Sequence, residues 1–172
     1  MLYTGARAGE ALWLDWHEVK LAKADVHFIK TKNGHPRYVP LHPAALDALA
    51  SLPHRDGAVF RRPDGRPYER PQSPSDTSAG SRIGTAFTGA LKRAGIENFR
   101  VHDLRHTWAT WHYAEHRDLI RLQRLGGWKT LSMVTRYAHQ SSDADRESIN
   151  ALPVLATREI HVRLESDKAE SA

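Results

Sequence analysis

Several side chains in this sequence have the types and spacing to act on a phosphate ester. Tyr137, in "TLSMVTRYAH", carries a phenol. With an ordinary pKa near 10 it attacks only when neighbouring cations favour the phenolate. His102 and Arg105, in "VHDLRHT", stand at i, i+3 near the start of a helical stretch and so share a face. A guanidinium beside an imidazole at the positive end of a helix suits a phosphate, and the imidazole can move protons near neutral pH. Arg7 and Glu10, in "TGARAGE", repeat that spacing. They read either as an intrahelical ion pair of about 0.3 kcal/mol or as a phosphate-gripping arginine with a carboxylate to position it. Lys30 and Lys32 precede the Asn33-Gly34 turn in "IKTKNGHPR", where an ammonium could enter a DNA groove or donate a proton to a leaving oxygen. Trp128 directly follows Gly126 and Gly127; its indole can donate one hydrogen bond but cannot shuttle a proton. Taken singly, each has a plainer reading: packing for the aromatics, a solvated turn for the lysines, an ordinary helix start for the rest. His112 and His116 have the i, i+4 spacing of a zinc pair. No third ligand accompanies them, so they read as a helix surface and no metal site is expected.

The elements that must carry these groups are mostly helices. "TGARAGEALWLDW" reads as a helix entry, with Thr4 and Gly5 as start signals and Leu12 and Trp16 at i, i+4. In "EVKLAKADVHFIKTKNGHPRYVPL" Val26 and Phe28 alternate toward one face, and Asn33-Gly34 predicts a hairpin. "HPAALDALASL" is a short helix with Pro43 in its first turn. "RRPDGRPYERPQSPSDTSAGS" reads as a surface loop. Helices come next in "RIGTAFTGALKRAG", stopped by Gly95, in "HDLRHTWATWHYAEH", in "DLIRLQRLGG", in "TLSMVTRYAH" and in "SDADRESINAL". The fold class expected is therefore α+β, mainly α-helical with a small antiparallel sheet. Residues 1–152 form the domain, and residues 153–172 form a polar, flexible tail.

Composition narrows the function classes. The 172 residues suffice for one domain with a real core. There is no cysteine, which excludes disulfides and thiol or thiolate-metal chemistry. Lys and Arg total 25 against 20 Asp and Glu, a net charge of +5 that suits an anionic partner such as nucleic acid. No stretch approaches the roughly 20 apolar residues of a membrane span, and the start shows no secretory signal.

In order, Arg7 in "TGARAGE", the hairpin lysine, "HDLRHT", "LGGW" and "RYAH" resemble the catalytic domain of the tyrosine recombinase, or phage integrase, family. The resemblance covers about residues 1–140. The His-x-x-Arg motif and a tyrosine about 32 residues beyond its arginine carry most of its specificity. It implies that Tyr137 attacks a DNA phosphodiester, forming a 3′-phosphotyrosine and releasing a 5′-hydroxyl. It implies that Arg7 and Arg105 hold the non-bridging oxygens, that His102 is a proton-transfer group, and that Lys32 protonates the leaving oxygen, with Lys30 as the competing candidate. Trp128 matches a position where many members have His and some have Trp. Glu10 matches a carboxylate that orients the site, and His106 is expected in a supporting, structural role.

The function implied is site-specific DNA recombination by strand cleavage and rejoining, without ATP, metal or other cofactor. The implied partner is double-stranded DNA, bound as a homotetramer through exchange of a segment after about residue 141. No small-molecule substrate and no membrane are expected, and the setting is cytoplasmic, bacterial or phage, close to the nucleoid. Only three residues precede Thr4, whereas the family carries a DNA-binding domain upstream, so the chain reads as N-terminally truncated. Two alternatives stand beside this: a non-catalytic DNA-binding remnant of an integrase, and a type IB topoisomerase-like enzyme, against which "LGGWKTLSMVTRYAH" argues.

Overall fold

The computed structural model describes residues 1–29, 31, 34–70, 79–138, 146 and 149–151. Its contacts divide the chain into a unit of Met1–Ala138 and a second of His139–Ala172. The helix expected in "SDADRESINAL" and the tail at 153–172 lie largely or wholly outside the described residues.

The first unit runs α1 (Ala8–Leu12), β1 (Val19–Lys20), β2 (Asp25–Phe28), β3 (Arg37–Pro40), α2 (Pro43–Ala50), α3 (Ala79–Arg82), α4 (Gly84–Ala94), α5 (Asp103–His116) and α6 (Leu119–Gly126). The strands form an antiparallel sheet in the order β1-β2-β3, with Val26 opposite Val39 and Phe28 opposite Arg37. The α+β class expected from sequence is what the structure has. No helix among the described residues is long and apolar enough to cross a membrane.

Two apolar clusters flank the future site. One gathers Leu14, Trp16, Val26, Phe28, Val39, Leu41, Leu49 and Val59 against the sheet. The other gathers Trp108 and Ala109 of α5, Leu122 of α6, Val134 and Tyr137. Burial alternates along β2 and β3, so Val26 and Phe28 face in with Arg37 and Val39. His42 caps α2, its Nδ1 accepting from the Ala44 N–H at 3.1 Å. Asp118 caps α6, accepting from the Arg121 N–H at 2.8 Å. Gly95 ends α4 in the left-handed region, at φ 66°, as its position in the sequence predicts.

Three elements differ from expectation. The entry helix shrinks to five residues, with Arg7 rather than Thr4 or Gly5 at its N-cap. Gly5 has a φ of 61°, which no helix can absorb. Trp16 instead opens a short 3₁₀ turn, Trp16–Glu18. The "surface loop" closes in α3 at Ala79. The helix expected over "TLSMVTRYAH" is two 3₁₀ turns, Leu131–Met133 and Thr135–Tyr137. Local hydroxyls explain this: Thr130 Oγ1 pairs with Ser132 Oγ at 2.9 Å, and Thr135 Oγ1 donates to the Ser132 carbonyl at 2.9 Å. Side chains that bond so close to home draw the backbone away from α-helical geometry.

Gly5 has no room for a side chain. A Cβ there would lie 2.3 Å from the Trp108 ring. Gly5→Ala should cost about 1–2 kcal/mol for the left-handed backbone and a further ~1–3 kcal/mol for overpacking. Urea denaturation of the two proteins reads the sum; an unchanged midpoint would refute the packing assigned to Trp108.

Candidate active site

Glu10 sits where α1 meets the sheet, 8% exposed, and organises the cations around it. Its carboxylate accepts from the Arg7 backbone N–H at 2.8 Å and from Arg7 Nη1 at 2.9 Å. The other partner is Arg37, whose Nη1 and Nη2 donate to both Glu10 oxygens at 2.9 and 2.7 Å. This is the bidentate fork geometry that makes arginine–carboxylate pairs strong. Burial alone would raise the Glu10 carboxyl, but the hydrogen bonds and charge of Arg37, with Arg7 behind them, hold it below its ordinary value.

This makes stability depend on pH. A depressed carboxylate contributes stability that is fully present above the unfolded pKa, about 4.3, and is lost as pH falls through the folded value. Asp15, Asp64, Asp103 and Asp118 are also lowered, but they lie at the surface, exposed or half-buried, where solvent screens them. The melting temperature should therefore fall as pH drops below about 4.3, and Glu10→Gln should flatten that fall. A variant with the parent's full acid dependence would place the lost stability elsewhere.

Arg37 was not among the residues singled out from the sequence. Besides gripping Glu10, it donates from Nε to the Leu125 carbonyl at 2.8 Å and lies 4.8 Å over the Phe28 ring. Its signal was a cation on the inward face of an alternating strand, in step with Val39.

Arg7, at the start of α1, and Arg105, on α5, both reach the glycine pair at the end of α6. Arg7 Nη2 donates to the Gly127 carbonyl at 2.9 Å. Arg105, on α5, is 2% exposed. It donates from Nη1 to the Gly5 carbonyl and from Nη2 to the Gly126 carbonyl, the latter at 2.8 Å. Trp128 covers it, with the Arg105 guanidinium 4.0 Å from the indole centroid. Burial, then the Arg7 charge nearby, pulls Arg105 down to about 9. It stays charged at neutral pH, and an added anion would be drawn to it.

The glycine pair makes this possible. A Cβ at Gly126 would come within 1.9 Å of the Trp128 ring, and Gly127 turns the chain at φ 67° against the Arg37 guanidinium.

Tyr137 is 5% exposed, its ring 5.8 Å from that of Trp128. One indole thus touches both Arg105 and Tyr137. The Tyr137 hydroxyl lies 2.6 Å from His106 Nδ1. Burial raises the phenol's pKa, while Arg105 and Arg136 pull it back down. His102 meets His106 edge-on at 4.8 Å between ring centroids. Both imidazoles are held below their ordinary value, chiefly by burial. Of the residues singled out from the sequence, Arg7, Glu10, His102, Arg105, His106, Trp128 and Tyr137 share one region. Lys30 and Lys32 lie outside the described residues. Beside Trp128 an open groove of about 330 Å³ is edged by His35, Arg124 and Lys129. Among the described residues, no group of three or more His, Asp or Glu could hold a metal ion.

A sequence profile of the phage integrase family matches residues 1–143. The chain belongs to that family. It is 36% identical over 143 residues to the integrase of Salmonella phage P22, covering 80% of this chain and 37% of that protein. The chain thus spans little more than a third of that relative's length. Among solved structures, the catalytic domain of bacteriophage HP1 integrase superposes with a TM-score of 0.63 at 26% identity, over 89% of this chain and 78% of that one. The Tn1549 transposon integrase, solved in complex with transposon right end DNA, superposes with a TM-score of 0.69 at 15% identity, over 87% of this chain and 55% of that one. That last likeness is one of fold alone. In this phage integrase family member, Arg105 is buried beside Trp128 and Tyr137, and Arg124 and Lys129 edge the groove next to Trp128.

Proposed function

We propose that this chain acts in site-specific DNA recombination, with residues 1–152 as its catalytic domain. Tyr137 attacks a DNA phosphodiester and forms a 3′-phosphotyrosine, releasing a 5′-hydroxyl. That hydroxyl, or one from a partner strand, later attacks the phosphotyrosine and reseals the backbone. Because the covalent bond conserves the energy of the phosphodiester, the exchange is close to isoenergetic.

The observation that carries this reading is Trp128 against both a buried guanidinium and a buried phenol, 4.0 Å from one and 5.8 Å from the other. Charge developing on the non-bridging oxygens would meet Arg105 and Arg7. Among the described residues, each of these arginines engages two of its five N–H donors, leaving donors for phosphate. Fixed donors in a site this dry stabilise a transition state far more than they would in water. Lys32, or Lys30, protonates the leaving 5′-oxygen. His35, Arg124 and Lys129 at the groove edge attract the flanking phosphates. Double-stranded DNA is the partner, and the working assembly is a homotetramer on it, joined through residues after about 141.

The test is covalent trapping. The protein is incubated with a pooled library of nicked, labelled duplexes, and products are run on a denaturing gel. A protease-sensitive, slow-migrating band whose tryptic peptide carries a nucleotide on Tyr137 is the expected result. A DNA-linked peptide modified at any other residue overturns the reading. DNA that is retained on the native protein but never trapped favours a binding remnant.

A further inference from the structure

A buried phenol needs somewhere to put its proton. With an ordinary pKa near 10, roughly one tyrosine in a thousand is ionised at neutral pH, and burial of Tyr137 lowers that fraction. The group in hydrogen-bonding contact with its oxygen is His106, at 2.6 Å. That distance is short for a phenol and a ring nitrogen. His106 comes directly after Arg105 on α5, so the helix that supplies a phosphate-facing cation also supplies the imidazole. His102 stands one turn earlier and packs edge-on against His106.

Resting on the assignment of Tyr137 as nucleophile, we infer that His106 takes the phenolic proton during strand cleavage and returns it during resealing. Neutral His106, carrying its proton on Nε2, accepts the Tyr137 hydroxyl proton at Nδ1 and becomes imidazolium. The freed oxygen forms a bond to phosphorus. The bond from phosphorus to the 5′-oxygen breaks, its electron pair staying with that oxygen, which is protonated by the hairpin lysine. In resealing, a 5′-hydroxyl attacks phosphorus and returns its own proton to that lysine. The bond to Tyr137 breaks, and the phenolate recovers the proton from His106 Nδ1.

The electrostatics suit each stage. Around His106 stand Asp103, Arg105 and His102 from α5 or its start, Arg136 and Tyr137 from the 3₁₀ turn, and Arg100 from the preceding loop. Burial, opposed by Asp103 and reinforced by Arg136, Arg105 and Arg100, keeps the imidazole below its ordinary value and neutral at pH 7. Arg105 and Arg136 favour the phenolate that results.

Two measurements test this, and the first needs no cleavage. In the chain labelled with ¹⁵N-histidine, the His106 ring is identified by its absence in His106→Gln. At pH 7 Nδ1 should be unprotonated and Nε2 protonated, and Tyr137→Phe should move the Nδ1 resonance. A proton found on Nδ1 overturns the inference, whatever the chain does to DNA. The second is the trapping rate against pH. The parent should rise with pH and level off below about 6.5. His106→Gln can still accept a hydrogen bond but cannot take a proton. It should lose on the order of 10²–10⁴-fold and keep rising into alkaline pH. A His106→Gln variant with the parent's rate and plateau overturns the inference. A parent that traps no DNA overturns the cleavage reading, and the ring tautomer still decides the proton acceptor.

Discussion

Changing Tyr137 to Phe should abolish covalent trapping of DNA and leave a folded domain. The substitution removes one oxygen and keeps the ring. That ring is what packs against Trp128 and closes the cluster with Val134, Leu122 and Ala109. The lost oxygen has one hydrogen bond among the described residues, to His106, and such a bond is worth about 0.5–1.5 kcal/mol net. His106 is only partly buried, so water can take the vacated place. Circular dichroism should show a melt within a few degrees of the parent, while the trapped band falls below detection. A band that persists in Tyr137→Phe would move the nucleophile elsewhere, and a variant that fails to fold would show that the hydroxyl holds more than His106.

The largest stability effect belongs to Glu10. Replacing it with Ala should destabilise the domain by about 3–5 kcal/mol. The cause is what remains rather than what goes. The Arg37 side chain is 7% exposed and directs both terminal nitrogens at Glu10. Without the carboxylate it is a buried cation with no counter-charge. Arg7 also loses a side-chain and a backbone partner, so its fork is no longer aimed and cleavage should fall as well. Urea denaturation reads the first effect and the trapping rate the second. The double variant Glu10→Met, Arg37→Met separates the explanations. If an uncompensated charge is the cause, it should recover much of the lost stability, since buried ion pairs often exchange for apolar residues at little net loss. A double variant as unstable as Glu10→Ala would point to packing instead.

Most of the local architecture was legible in the chain. Asn33-Gly34 and the alternating Val26 and Phe28 announced an antiparallel pair, and Gly95 and Gly127 marked where α4 and α6 end. These are short-range signals, set by backbone conformations that few residues tolerate. Arg7, Arg105 and Tyr137 stood out in a different way, through their order along the chain and its resemblance to a family, since each taken singly has a plainer reading. What escaped was long-range. Arg37 meets Glu10 across 27 residues and Leu125 across 88, and no periodicity carries that information. His106 reads from the chain as a neighbour of Arg105. Only the folding of the 3₁₀ turn onto α5 gives it the Tyr137 oxygen. That turn was itself misread as a helix, because the hydroxyls of Thr130, Ser132 and Thr135 count for little in a hydrophobic pattern and for much in the backbone they recapture.

The arginine contacts with backbone carbonyls bear on how such a gene would decay. Arg105 joins the carbonyls of Gly5 and Gly126, and Arg7 joins that of Gly127. The cations proposed to grip phosphate thus also fasten the two ends of the domain together. Losing either would leave an unstable protein, not merely a silent one. The Tyr137 hydroxyl carries no such burden. In a copy drifting free of selection for cutting but still kept for occupying DNA, the arginines would persist and the phenolic oxygen would vanish first. Surviving arginines in a degenerate integrase therefore testify to folding, and an intact tyrosine is the better witness that the copy still cuts.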